Sequence, residues 1–315
     1  MNIVLTESLG IPDELLSAYV SPLRASGHRF AAYGRTTDPA ALRDEIRDAD
    51  AILLANMPLP GEALRACGHL QFVDIAFTGV DHVDVAAARA LGAVVSNASG
   101  YSTTAVSELA VEMMLSLLRH VPQAEARCRA GGDKTGLVGR ELRGKTVGVV
   151  GLGKIGRATA KLCQAFGCRV IGESPSHQSG EVDGVTCMPL DDLLRQADIV
   201  SLHCPLNAAT RGLMNAERLA LMKPGALLLN LARGPVVNTD ALAQALREGR
   251  LGGAGIDVFD AEPPLPADHP LLHTPNTIVT PHVAFASQES MALRARIVFD
   301  NLQAFLAGAP VNVVR

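Results

Sequence analysis

The chain contains no tryptophan, and aromatic residues make up only 3% of its 315 positions. Platforms that stack successive bases are built from aromatic rings, so single-stranded nucleic acid is a poor partner. Charge of one sign is missing too. With 28 Lys and Arg against 32 Asp and Glu, the formal net charge is -4, which leaves no basic footprint for a phosphate backbone. No apolar run approaches the roughly 20 residues of a membrane span, the longest being segments such as "ALLLNLA". The opening "MNIVLTESLG" has no positive flank or long apolar core, so it does not read as a signal peptide. Six cysteines, at 67, 128, 163, 168, 187 and 204, form no CxxC pair and no dense framework. Free thiols in a reducing compartment are expected, and with them a cytoplasmic protein bound neither to membrane nor to nucleic acid. No metal-ligand spacing is present, so no metal is expected.

What the chain has is apolar content, 48% of residues, enough for two cores of ordinary size. Short apolar runs alternate with amphipathic segments, the pattern of parallel strands joined by crossover helices. The first series comprises "NIVLT", "HRFAAY", "AILLAN", "FVDIAF" and "AVVSNA". "GYSTTAVSELAVEMMLSLLRH" follows as a helix. Ser102, Thr103 and Thr104 stand at its start to satisfy bare amides, and its apolar residues lie on more than one face. Met113 and Met114 read as packing. "GGDKTGLVGRELRG" reads as an exposed connection. A second series then runs through "KTVGVV", "CRVIGE", "VTCMPL", "DIVSLHC", "ALLLNLA", "GAGIDVF" and "NTIVTPH". The fold class is α/β, with two doubly wound parallel-sheet domains.

The second series opens on a phosphate cradle. In "TVGVVGLGKIGRATAKLCQAFGCRVIGE", Gly151, Gly153 and Gly156 lie between a strand and a helix, with a further strand following. The first glycine permits a tight turn, the second lets backbone approach a pyrophosphate, and the third lets helix and strand pack closely. Lys154 and Ile155 begin the helix beside that anion. An acid for the adenosine ribose is expected within "IGESPSH", where Glu173 precedes Ser174. Residues 172 to 178 hold no Arg or Lys to neutralise a 2'-phosphate, which favours NAD and leaves NADP open. Cys204 and Pro205 after "DIVSLH", and Ala232 after "ALLLNL", are further coenzyme candidates.

Ligands of an open parallel sheet sit beyond the carboxyl ends of its strands. Three strands there deliver Arg233, then Asp257 with Glu262 beyond it, and His282. Each has an ordinary alternative: a surface ion pair, a solvated acid in a proline-rich loop, a histidine packed under the last helix. Together they supply what reduction of a 2-oxo acid requires. A guanidinium fork grips the carboxylate, an imidazolium gives the carbonyl oxygen its proton, and a carboxylate keeps that imidazole loaded.

With these residues in view, the chain resembles the D-isomer-specific 2-hydroxyacid dehydrogenases over nearly its whole length. The resemblance is carried by "FTGVDHVDVAAARALGAVVSNASGYSTTAVSELAV", "LRGKTVGVVGLGKIGRATA", "NLARGPVVNTDALAQALREGRLGGAGIDVFDAEPP" and "NTIVTPHVAF". It implies a Rossmann-type NAD-binding domain, residues 100–285, inserted in a flavodoxin-like substrate domain of residues 1–99 plus 286–315. It assigns catalysis to Arg233, Glu262 and His282, and the nicotinamide side of the coenzyme to Asp257, with Arg233 and His282 also beside the coenzyme. Backbone amides of Thr78, Gly79 and Val80 would hold the substrate carboxylate, and Tyr101 and Phe285 would line the pocket. A homodimer is usual in the family. Ser174 departs from the ribose acid of many relatives, and Asn238 stands where an Asp commonly follows the arginine motif. "LLANMPLPGEA" lacks the arginines of relatives acting on 3-phosphoglycerate, and Glu262 argues against the formate-oxidising branch. The expected substrate is a small 2-oxo acid with an uncharged tail: pyruvate, hydroxypyruvate, glyoxylate or a modest aliphatic or aromatic homologue would all be compatible. The alternatives are a nucleotide-sensing corepressor on the same fold, and phosphite oxidation, which would want a basic group where Thr78 stands.

Overall fold

The computed structural model describes residues 1–177 and 179–314. They form two compact units, Met1–Ser102 with Ala286–Arg315, and Thr103–Phe285.

The first unit is built on β1 (Asn2–Leu5), β2 (Arg29–Ala32), β3 (Ala51–Leu54), β4 (Phe72–Ile75) and β5 (Val94–Asn97), ordered β2-β1-β3-β4-β5 with every pairing parallel. This is the flavodoxin-like order. The "AILL" and "FVDI" strands are buried along their whole length, as strands covered on both faces must be. The helix Gln288–Leu306 returns to this unit and begins with a capping box between Ser287 and Ser290. Phe299 stacks on Tyr19 at 4.6 Å and Phe305 on Phe72 at 4.4 Å. Because all five strands run the same way, the segments that follow β1, β3, β4 and β5 emerge on one edge.

The second unit carries β6 (Thr146–Val150), β7 (Arg169–Glu173), β8 (Gly180–Val182), β9 (Val185–Cys187), β10 (Ile199–Leu202), β11 (Leu227–Asn230), β12 (Gly253–Ile256) and β13 (Thr277–Val279). Their order is β13-β12-β11-β10-β6-β7-β9-β8. Among the described residues all pairings are parallel except that of β8 with β9. Alternate residues of each strand feed opposite cores. Leu228 joins the cluster of Val150, Val200 and Leu242, while Leu227 and Leu229 join that of Met113, Met114 and Leu117. The two methionines are therefore packing residues, with no exposure.

Two elements were not foreseen. β8 is exposed and carries no apolar run, so nothing in "GEV" distinguishes it from loop until β9 pairs with it. The helix Val121–Arg129 buries none of its residues, so it has no apolar stripe to read. It starts directly after His120, whose φ of 52° separates it from the preceding helix Thr103–Arg119.

Candidate active site

At the carboxyl end of β6 the glycine cradle has a geometry that larger residues would block. Gly151 has φ 94°, and a Cβ at Gly156 would stand 2.0 Å from the Gly151 carbonyl oxygen. Gly153 caps the helix Lys154–Ala165 without a side-chain hydrogen bond, and a Cβ there would meet nothing within 4 Å. Bare first-turn amides facing open space are what a pyrophosphate requires, so the residues fit a dinucleotide. The turn after β10 packs on the cradle: a Cβ on Gly151 would lie 2.7 Å from the Cys204 nitrogen. Order reverses between β6 and β10, which places this crevice at the switch point of the sheet.

Glu173 ends β7, and its backbone carbonyl accepts from the Gly151 amide at 2.9 Å. Burial raises its carboxyl above the ordinary range, and the Arg218 guanidinium partly offsets this. Ser174 is buried, and its hydroxyl is 3.0 Å from that of Ser176, which in turn lies 2.9 Å from His177 Nδ1. Beside Cys204, burial pulls the His203 imidazole down to about 4, so this ring stays neutral. Pro205 is exposed and Ala232 buried.

Arg233 follows β11. Buried Asn230 shapes the turn, donating to the Arg233 carbonyl at 2.9 Å and accepting from the Ala232 amide at 3.1 Å. The guanidinium donates to the Ala232 carbonyl at 2.8 Å. Gly234 is obligatory there, since a Cβ would fall 1.9 Å from the Phe259 carbonyl group. Asn238, the departure from the family pattern, caps the helix Thr239–Arg247 by accepting from the Ala241 amide.

His282 sits in a tight turn after β13 with φ 53°, a conformation rare for a residue with a side chain. Glu262 meets it: its two carboxylate oxygens lie 2.9 and 3.0 Å from Nδ1. The histidine side chain is 12% exposed and the glutamate 52%. Phe285 stands edge-on to the imidazole at 5.7 Å.

Asp257 holds that turn in place. The resemblance assigns it to the nicotinamide side of the coenzyme; here its carboxylate is fully buried and accepts from the chain itself. Oδ1 accepts from the Thr280 hydroxyl at 2.6 Å and the Val283 amide at 2.9 Å, and Oδ2 from the Ala284 amide at 3.0 Å. Its backbone carbonyl accepts from the His282 amide at 2.7 Å. Burial raises its carboxyl, and these bonds pull the other way. Sequence reasoning missed Asn230 and Thr280 as positioning residues. The signal was one polar residue at the end of each apolar strand.

Arg233, Asp257 and His282 thus leave the adjacent strands β11, β12 and β13 on the edge that bears the cradle. Strand spacing of about 4.8 Å puts the outer two roughly 10 Å apart at the backbone, within reach of two long side chains. In the first unit, Thr78 O accepts from the Asn97 amide group at 2.8 Å, and the buried Thr78 hydroxyl has no hydrogen-bond partner among the described residues. Gly79 and Val80 continue this turn after β4, and Tyr101 is buried at 3% exposure. Among the described residues, no group of three or more His, Cys, Asp or Glu is arranged to hold a metal, and no helix is long and apolar enough to cross a membrane.

Known proteins resemble this chain in sequence and in fold. The family model for the D-isomer specific 2-hydroxyacid dehydrogenase NAD binding domain matches residues 111–284. A hydroxypyruvate reductase of Blautia hydrogenotrophica is 36% identical over 295 residues, covering 90% of each chain. A glycerate dehydrogenase of Methylorubrum extorquens is 37% identical over 297 residues, covering 91% of this chain and 92% of the relative. The structure of D-lactate dehydrogenase from Aquifex aeolicus, complexed with NAD and lactic acid, superposes with a TM-score of 0.86 at 29% identity, over 98% of this chain and 96% of that one. A parallel sheet with a glycine cradle, and the match of both sequence and structure across nearly the whole chain, lead to one conclusion: this protein belongs to the D-isomer specific 2-hydroxyacid dehydrogenase family.

Proposed function

We propose that this chain is an NAD-dependent reductase of short, uncharged-tail 2-oxo acids such as glyoxylate, hydroxypyruvate or pyruvate, forming D-2-hydroxy acids, with His282 as the acid and base. The observation that carries the reading is the Glu262–His282 pair, clamped in a strained turn by Asp257. The Arg233 fork is the second unit's group for the substrate carboxylate, and the backbone amides of Thr78, Gly79 and Val80 are the first unit's candidates for the same task. When bound, the reduced coenzyme supplies hydride to the 2-carbon. As that carbon becomes tetrahedral, the carbonyl oxygen takes a proton from His282 Nε2, and Glu262 holds Nδ1 so that the ring keeps one orientation throughout. In the reverse direction neutral His282 removes the hydroxyl proton.

Coenzyme contacts fall to Gly151, Gly153, Lys154, Ile155, Gly156, Cys204, Pro205, Ala232, Arg233 and His282, with Glu173 and Ser174 at the ribose and Tyr101 and Phe285 toward substrate. The Glu173 carboxylate beside the ribose supports NAD over NADP. Asp257 acts through the His282 turn. A homodimer in the cytoplasm completes the reading: the groove lined by Val111, Leu115, Val121, Leu162 and Phe166 exposes mostly apolar surface, with Glu108, Glu112 and Arg119 also in its lining, and Val138, in the connection that follows, is 89% exposed. A second copy supplies to that groove what the first leaves uncovered, and light scattering on purified protein checks it. Relatives carrying reductase and dehydrogenase names do not favour the corepressor and phosphite readings.

The test is a panel of 2-oxo acids with NADH and NADPH in parallel. Turnover of short acids with NADH at about tenfold or greater advantage supports the proposal. Tight NADH binding with no turnover of any acid refutes it.

A further inference from the structure

The loops after β1, β3, β4 and β5 are joined by a closed circuit of contacts along the carboxyl edge of the first unit's sheet. Buried Glu7, after β1, accepts from the amides of Ala55 at 2.9 Å and Met57 at 2.6 Å, after β3. Arg35 pairs with its other oxygen at 3.0 Å. His82 Nε2 lies 2.9 Å from the Ala55 carbonyl, and its ring stands edge-on to Phe77 at 6.3 Å. Phe77, after β4, meets Tyr101, after β5, at 6.0 Å. Arg294 closes the circuit from the C-terminal helix. Its Nη2 donates to the Leu9 carbonyl at 2.6 Å, and its Cζ is 5.7 Å from the centre of the Tyr101 ring.

Arg294 is the one charged residue among the described buried residues of its helix, where Ser290 and Asn301 are polar but neutral and Ala295, Val298, Phe299 and Leu302 are apolar. The arginine is only 3% exposed. Taking a guanidinium out of water is costly, and a leucine would fill this position without that cost. The charge is tolerated because Glu7, the Leu9 carbonyl and the Tyr101 ring face surround it. What the arginine adds is therefore fixed geometry rather than packing.

We propose that Arg294 is a specificity-determining positioning residue, which holds Tyr101 and the Ser8–Leu9 segment so that the substrate-facing rim of the first unit admits two- and three-carbon 2-oxo acids and rejects branched or aromatic tails. This rests on the assignment of Tyr101 to substrate made above. A rim pinned at four loops does not widen for an added methylene without moving Tyr101 off the guanidinium. Size discrimination of this kind ranges from about ten- to two-hundredfold.

The test compares wild type, Arg294→Leu and Arg294→Lys on glyoxylate, hydroxypyruvate, 2-oxo-4-methylpentanoate and phenylpyruvate. In Arg294→Leu, KM for the short acids is expected to rise about tenfold with kcat within about threefold, and the short-to-branched ratio of kcat/KM to fall about tenfold or more. Arg294→Lys keeps the charge but not the bridge between Leu9 and Tyr101, and is expected to lose about threefold in that ratio; it decides the matter if the leucine variant does not fold. An unchanged ratio in either folded variant overturns the role of Arg294 while leaving the reductase reading intact. A proportional loss of kcat on every acid likewise overturns it, in favour of simple structural damage. A wild type that reduces none of the four acids overturns both.

Discussion

Removing the Asp257 carboxylate tests how the site is held. In Asp257→Ala two backbone amides and the Thr280 hydroxyl lose a charged acceptor. Hydrogen bonds to charged groups contribute about 1.5–3 kcal/mol each. Val283 is 41% exposed, so water recovers part of that loss, and about 3 kcal/mol is a reasonable net figure for the turn. His282 at φ 53° works against the turn by roughly 1–2 kcal/mol, because its Cβ crowds the following carbonyl. With the clamp gone, that strain favours an extended backbone that carries the imidazole away from its post. Three kcal/mol corresponds to about a hundredfold, so kcat for 2-oxo acid reduction is expected to fall by roughly two powers of ten. NADH affinity should stay within about threefold, since the cradle lies on β6 and, of the coenzyme contacts proposed above, only His282 follows β12 or β13. Steady-state rates at saturating NADH give the first quantity. Titration of NADH emission gives the second, uncomplicated by any tryptophan. A variant with near-normal kcat but NADH binding weakened more than about thirtyfold would refute the clamp and restore Asp257 to direct coenzyme contact.

Three further outcomes are expected. Glu262→Gln keeps a hydrogen-bond partner for His282 Nδ1 but removes the charge, and should lower kcat about ten- to a hundredfold with NADH affinity unchanged; normal turnover would contradict the pairing. Gly156→Val drives a side chain into the Gly151 carbonyl and should weaken NADH binding by about a hundredfold or more, read by the same titration, with retained affinity as the opposing result. In the first unit, burial raises the Asp74 carboxyl to about 8. Its folded form thus holds a proton that the unfolded chain releases near its ordinary value of about 3.9. The stability this contributes is full below that value and is lost as pH rises toward 8. Asp74→Asn, which can still accept from Asn301, should be less pH-dependent than wild type over pH 4–8, and more stable than it at pH 8. Denaturant melts at pH 5 and 8 check this, and parallel pH dependences would refute it.

Much of the architecture was open to reading from residues alone. Runs such as "AILL" and "ALLLN" are apolar without alternation because both faces of a parallel strand are covered. The cradle glycines were legible because backbone that must turn sharply or touch a phosphate tolerates no Cβ, a constraint local to six residues. Arg233 and His282 could be placed at strand ends for the same local reason. What lay beyond reach was every partnership made across the chain. Glu262 stands in a proline-rich loop with no period, and only the fold carries it to His282, 20 residues on. Asp257 looks like any acid at a strand end until the sheet turns its carboxylate inward upon residues 280–284. Arg294 shares its helix with Arg296, and helical spacing does not say which of the two is buried. One-dimensional pattern reports burial and turns because those depend on neighbours in sequence. Which charge meets which depends on how strands and helices are packed together, and tertiary structure alone decides it.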